Sequence, residues 1–148
     1  MIKITLWKDK IFWLALLSVV PFYLFLVSFA KIPVNFKPEL FWSSSFLLLS
    51  FLFPFLEEIV FRGFLQEKIS TSSMFKLKKL WQLSYANIFT SLIFCALHFI
   101  YHSPLWAFSV FFPSLVFGFF KERYQALYVP IILHIFYNAS YFILFGID

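Results

Sequence analysis

Five stretches of the chain are continuous runs of hydrophobic residues: Ile11 to Ala30, Leu40 to about Gln66, about Leu80 to Ser103, Pro104 to Phe120, and about Tyr124 to Ile147. The first runs 20 residues without a charge; at ~1.5 Å of rise per residue that matches a hydrocarbon core of ~30 Å. In lipid every backbone polar group has to be satisfied inside the protein, which leaves helices or a closed barrel, and a barrel would alternate apolar with polar residues. The pattern predicts an all-α, polytopic transmembrane helix bundle of about five spans around a buried polar site. An N-terminal span and connection cover residues 1–40, and a core covers 41–148. Pro21, Pro54, Pro113 and Pro130 fall inside the runs, where a proline is tolerated if neighbours satisfy the carbonyl it frees.

Composition strengthens this reading. Hydrophobic residues make up 62% of the chain and charged ones 13%, more apolar surface than a fold this small can hide from water. The net charge of +5 is not gathered into a stripe that would suit nucleic acid; the cations lie in short clusters between the runs. Lys3, Lys8, Lys10, Lys68, Lys76, Lys78, Lys79, Lys121 and Arg123 fall on one side of a five-span arrangement, and only Lys31 and Lys37 on the other. The positive-inside rule then puts the N-terminus in the cytoplasm and Asp148 outside. Ser28-Phe29-Ala30 has the small-x-small form of a signal-peptidase site, but the run before it is long for a signal and reads as a retained span. The single cysteine, Cys95, excludes an intrachain disulfide and a thiolate metal site. Ser70 to Ser73 and the lysines after them form the long polar loop, in which Met74, Phe75, Leu77 and Leu80 suggest a partly interfacial helix.

Ionisable side chains inside such runs cost ~2.5 to 3.5 kcal/mol each at a helix centre on insertion scales, so they ask for a reason. Glu57, Glu58 and Arg62 occur in FPFLEEIVFRGFLQ, His98 in SLIFCALHFIYH, and His134 with Asn138 in VPIILHIFYNASY. Residues four apart share a helix face, so Glu58 and Arg62 can pair, and His134 and Asn138 project together. Glu57, turned about 100° from Glu58, points elsewhere. Interhelical locking accounts for Glu58 and Arg62, but an additional carboxylate with histidines at hand is better explained as a base or a ligand. His102, at the end of its run, reads as interfacial. Ser84, Asn87 and Ser91 read as helix-packing polar groups, and Asn138-Ala-Ser140 lies too deep to be a glycosylation site.

Three motifs now stand in order: Glu57-Glu58-Ile-Val-Phe-Arg62, Phe94-Cys-Ala-Leu-His98 and His134-Ile-Phe-Tyr-Asn138. Over residues 45–145 the chain resembles the CPBP intramembrane proteases, the CAAX protease and bacteriocin-processing or ABI family. The resemblance implies a multi-pass protein of a bacterial cytoplasmic membrane. It further implies an endopeptidase acting on a membrane-associated protein or peptide, in which Glu57 is general base on a water that His98 also holds. His134 and Asn138 would stabilise the oxyanion, and Glu58 with Arg62 would fix the first helix of the site. It implies a glutamic-type, cofactor-free mechanism. The alternative is a zinc site of Glu57, His98 and His134, although no His-Glu-x-x-His is present. Two further alternatives are a non-catalytic bacteriocin-immunity or scaffold protein of the same fold and an ion pathway; the second is disfavoured because the polar residues lie near one depth rather than in a file.

Overall fold

A computed structural model describes residues 5–29, 31–75 and 78–147; Lys3, Ala30, Lys76, Leu77 and Asp148 lie outside the described residues. Five apolar helices follow one another: α1 (Lys10–Ser28), α2 (Ser44–Thr71), α3 (Tyr85–His98), α4 (Pro104–Tyr124) and α5 (Tyr128–Phe145). Four of them are long and apolar enough to cross a bilayer, and α3, at 14 residues, is shorter. The protein is all-α and polytopic, apart from a hairpin of two short strands, β1 (Lys79–Leu80) and β2 (Leu83–Ser84).

Local chemistry sets the helix ends. Asp9 accepts a hydrogen bond from the Ile11 amide at 3.0 Å, and the Ser43 side chain accepts from the Phe46 amide at 3.1 Å; each occupies an N–H that the first turn leaves orphaned. Within α1 the helix breaks at Ser18, three residues before Pro21, whose ring cannot donate to the Leu17 carbonyl and crowds it. The Ser18 hydroxyl instead donates to the Ala15 carbonyl at 2.6 Å.

The third apolar run departs from expectation. It begins as a hairpin with Leu80 opposite Leu83, because Trp81 adopts the left-handed conformation (φ 56°) that lets the chain reverse in two residues. Ser84 then caps α3 by accepting from the Asn87 amide at 2.9 Å, so the helix starts at Tyr85 rather than Leu80. Among the described residues of the suggested interfacial helix around 74–80 none is helical: α2 continues to Thr71, residues 72–75 turn, and Lys79–Leu80 are strand; Leu77 lies outside the described residues. Lys121 and Arg123, expected in a turn, lie in the last turn of α4, where cations complement the helix dipole. Gln125, at φ 51°, ends that helix.

The chain forms two compact units, residues 1–55 with 132–148, and residues 56–131. In the first, hydroxyls join α1 to α5: Tyr23 Oη lies 2.6 Å from Ser140 Oγ, and Tyr137 Oη donates to the Ala15 carbonyl at 2.6 Å and lies 3.0 Å from Ser18 Oγ. α2 is wound as a π-helix over Leu48–Leu52, and Phe53 donates to the carbonyl five residues back, that of Leu48. In that register Pro54 should serve Leu49 but has no N–H. Asn138 Nδ2 supplies the missing donor, 3.0 Å from the Leu49 carbonyl.

The second unit packs α3 on α4 and on the later part of α2. Gly118 makes the close approach possible, since a methyl there would overlap the Asn87 side chain and reach within 2.9 Å of Gln66 Oε1. Asn87 Nδ2 donates to the Leu115 carbonyl at 2.9 Å, and Ser91 donates to Asn87 Oδ1. Polar side chains share the interior with an apolar core: Ser50, Glu58, Arg62, Gln66, Asn87 and Ser114 are fully buried, as are Phe12, Phe46 and Leu133, whereas Leu14, Leu24, Phe64 and Phe112 are exposed. Apolar residues outside and polar ones within are what a lipid solvent permits.

Candidate active site

α2 carries Glu57 and Glu58. Over Ile59–Gln66 the helix is π-wound, a wider turn that recurs at functional sites, and Glu58, Arg62 and Gln66 are all fully buried.

Arg62 is the hub of this stripe. Its Nε lies 3.4 Å from Glu58 Oε2, and its Nη2 donates to the Ser114 hydroxyl at 2.7 Å and the Ser114 carbonyl at 2.8 Å. The guanidinium also faces two rings, Phe94 at 5.1 Å and Phe117 at 5.6 Å, an arrangement whose worth rises when water is excluded. One buried cation is thus held by a carboxylate, a serine and two aromatic faces drawn from three helices. Glu57, the next residue toward the N-terminus from Glu58, is half-exposed and lies in electrostatic range of the same guanidinium.

Phe94 connects Arg62 to His98. Its ring centre is 4.4 Å from that of His98 and meets the edge of Phe61 at 4.9 Å. His98 Nδ1 lies 2.9 Å from the Phe94 carbonyl, which can only accept, so Nδ1 carries the proton. In the neutral imidazole this leaves Nε2 as the acceptor. His102 stacks on His98 with ring centres 5.6 Å apart.

The structure therefore groups Glu57, Glu58, Arg62 and His98 in the second unit, and His134 and Asn138 in the first. His134 is buried and Asn138 is half-buried, and the Asn138 amide donates to the Leu49 carbonyl. Phe94, Ser114, Phe117 and Gln66 complete the surroundings of Arg62. Phe94 and Gln66 lie within the motif runs, but no spacing rule singles out Ser114. Among the described residues no group of three or more His, Cys, Asp or Glu side chains is placed to hold a metal ion.

Comparison with known proteins gives one family. The model described as "Type II CAAX prenyl endopeptidase Rce1-like" matches residues 38–140, a span that contains all three motifs. No curated protein and no solved structure matches the chain.

Proposed function

The chain belongs to the Rce1-like family of type II CAAX prenyl endopeptidases, and we propose that it hydrolyses a peptide bond in a membrane-associated protein or peptide, with Glu57 as the base that activates water. The observation that carries this reading is the division between the two adjacent acids. Glu58 is fully buried against Arg62, while Glu57 stays half-exposed beside it. A partly exposed carboxylate within an apolar span has the chemistry of a general base.

In the proposed reaction Glu57 takes a proton from water as the water oxygen attacks the scissile carbonyl. His98, whose Nδ1–H is committed to Phe94, accepts the second water hydrogen through Nε2 and orients the nucleophile. The protonated Glu57 then gives its proton to the departing amide nitrogen as the C–N bond breaks, leaving a carboxylic acid and an amine. Preorganised donors are worth most to the intermediate's oxyanion where water is excluded. By the family resemblance, that duty falls in this reading to His134 and Asn138. The Asn138 amide, which spends one N–H on Leu49, has a second to offer. Arg62 positions α2 through Glu58 and Ser114.

The reading is metal-independent, supported by the absence of a His-Glu-x-x-His sequence. It places the N-terminus on the cytoplasmic side, supported by the clustering of Lys and Arg between alternate spans. The test compares membrane peptides from cells carrying the wild-type protein with those from cells carrying Glu57→Ala or His98→Ala at equal membrane abundance. Peptides cut only by the wild type support the proposal; the same cleavage products with Glu57→Ala would sink it.

A further inference from the structure

Helix α1 carries none of the three motifs and lies outside the residues 38–140 that match the family. Within the first unit it is nonetheless bonded to α5, the helix that bears His134 and Asn138. At the break in α1 the Ala15 carbonyl accepts from two hydroxyls, Ser18 Oγ and Tyr137 Oη, each at 2.6 Å, and those two oxygens lie 3.0 Å apart. Further along α1, Tyr23 Oη lies 2.6 Å from Ser140 Oγ and 3.1 Å from the Tyr137 carbonyl. Ser140 in turn donates to the Phe136 carbonyl at 2.6 Å, and the Tyr23 ring meets the Phe145 ring edge-on at 5.4 Å.

These bonds fix the roll of α5 about its own axis. Tyr137 and Ser140, three residues apart, share the face turned to α1. Asn138, about 100° round the helix from Tyr137, donates to the Leu49 carbonyl of α2 at 3.0 Å. A helix gripped along one face can still roll; gripped in two directions about 100° apart, it cannot. His134, one turn before Asn138, follows the same roll. In a bilayer the grip is firm, because hydroxyls within a span have no water to take in exchange for one another. At the ~5 to 6 Å radius of a helix with its side chains, a roll of about 10° moves the Asn138 amide by ~1 Å, and a misplacement of that size can cost about a hundredfold in rate.

We propose that α1 is a positioning element of the active site: Tyr23 and Ser18, acting through Ser140 and Tyr137, hold α5 at the roll that aims the Asn138 amide. The effect of that aim on rate rests on the oxyanion role given to Asn138 above; the aim itself does not, so the two are tested apart.

The first measurement is nuclear magnetic resonance of the full chain in micelles. The sequence holds three asparagines, Asn35, Asn87 and Asn138, so ¹⁵N-asparagine labelling gives three side-chain amide signals, that of Asn138 identified by its loss in Asn138→Ala. Tyr23→Phe removes only a hydroxyl and keeps the ring on Phe145. It should shift the Asn138 signal and leave that of Asn87, in the second unit, where it was; an unmoved Asn138 signal would overturn the proposal. The second measurement is cleavage of a substrate taken from the membrane-peptide comparison. Tyr23→Phe should lower kcat by about 10- to 100-fold with KM unchanged, and should lower it no further once Asn138→Ala is present. Equal losses in both backgrounds would show that the hydroxyl only supports the fold, and the proposal would fall. If Asn138→Ala leaves kcat at the wild-type value, the oxyanion reading fails, and the amide signal alone decides whether α1 aims Asn138. Should Tyr23→Phe fail to fold, Tyr137→Phe releases the other end of the same grip and meets the same kinetic test.

Discussion

Replacing Arg62 with Met keeps the length of the side chain and removes its charge, and the structure ranks the consequences. Glu58, fully buried 3.4 Å from Arg62 Nε, is left without its cation; breaking a buried pair from one side costs ~3 to 5 kcal/mol. The two bonds to Ser114 are smaller, since interhelical hydrogen bonds in membranes average ~0.6 kcal/mol and reach ~1.7. The stranded carboxylate dominates, so Arg62→Met should destabilise by ~3 to 5 kcal/mol and Ser114→Ala, which leaves the Ser114 carbonyl in place, by no more than ~1.7. Adding Glu58→Leu to Arg62→Met removes the stranded charge and should recover most of the loss, because an apolar pair can replace a buried ion pair at little cost. Reversible denaturation in mixed micelles, followed by helicity, measures all three variants. The reasoning is refuted if Arg62→Met costs no more than Ser114→Ala, or if the double variant is as unstable as the single one.

Gly118→Ala should destabilise by ~1 to 3 kcal/mol through overpacking against Asn87, and trimming the obstacle with Asn87→Ala should reduce that penalty in the same assay. Pro54→Ala restores an N–H for the Leu49 carbonyl, so Asn138→Ala should cost less stability in that background than in the wild type; additive effects would contradict the proposed exchange of donors. Chelators should leave cleavage by the purified protein intact, and a loss that zinc reverses would replace the metal-free mechanism. A reporter fused to the N-terminus should be protected from reagents added outside the cell.

The membrane spans were legible because apolar runs of such length have no soluble use, and the pairing of Glu58 with Arg62 followed from their four-residue spacing. Four features were hidden. The burial of Gln66 at the end of the π-wound segment Ile59–Gln66 leaves no mark in a four-residue spacing read as an ordinary helix. The start of α3 was misplaced because Leu80 and Leu83 are as apolar as a span, while the left-handed Trp81 that turns them into a hairpin leaves no trace in hydropathy. The donation from Asn138 to Leu49 depends on a proline 84 residues earlier in the chain and on π-register, neither of which a local pattern encodes. Ser114 is one serine among many, and only the fold aims it at Arg62.

Glu57 as base makes a claim about where a water oxygen goes. A single turnover in ¹⁸O-labelled water, using a substrate identified from the membrane-peptide comparison, should place one label in the new C-terminal carboxylate and none in the peptide containing Glu57, and Glu57→Gln should form no product. Label appearing in the Glu57 side chain, or product formed by Glu57→Gln, would contradict the account.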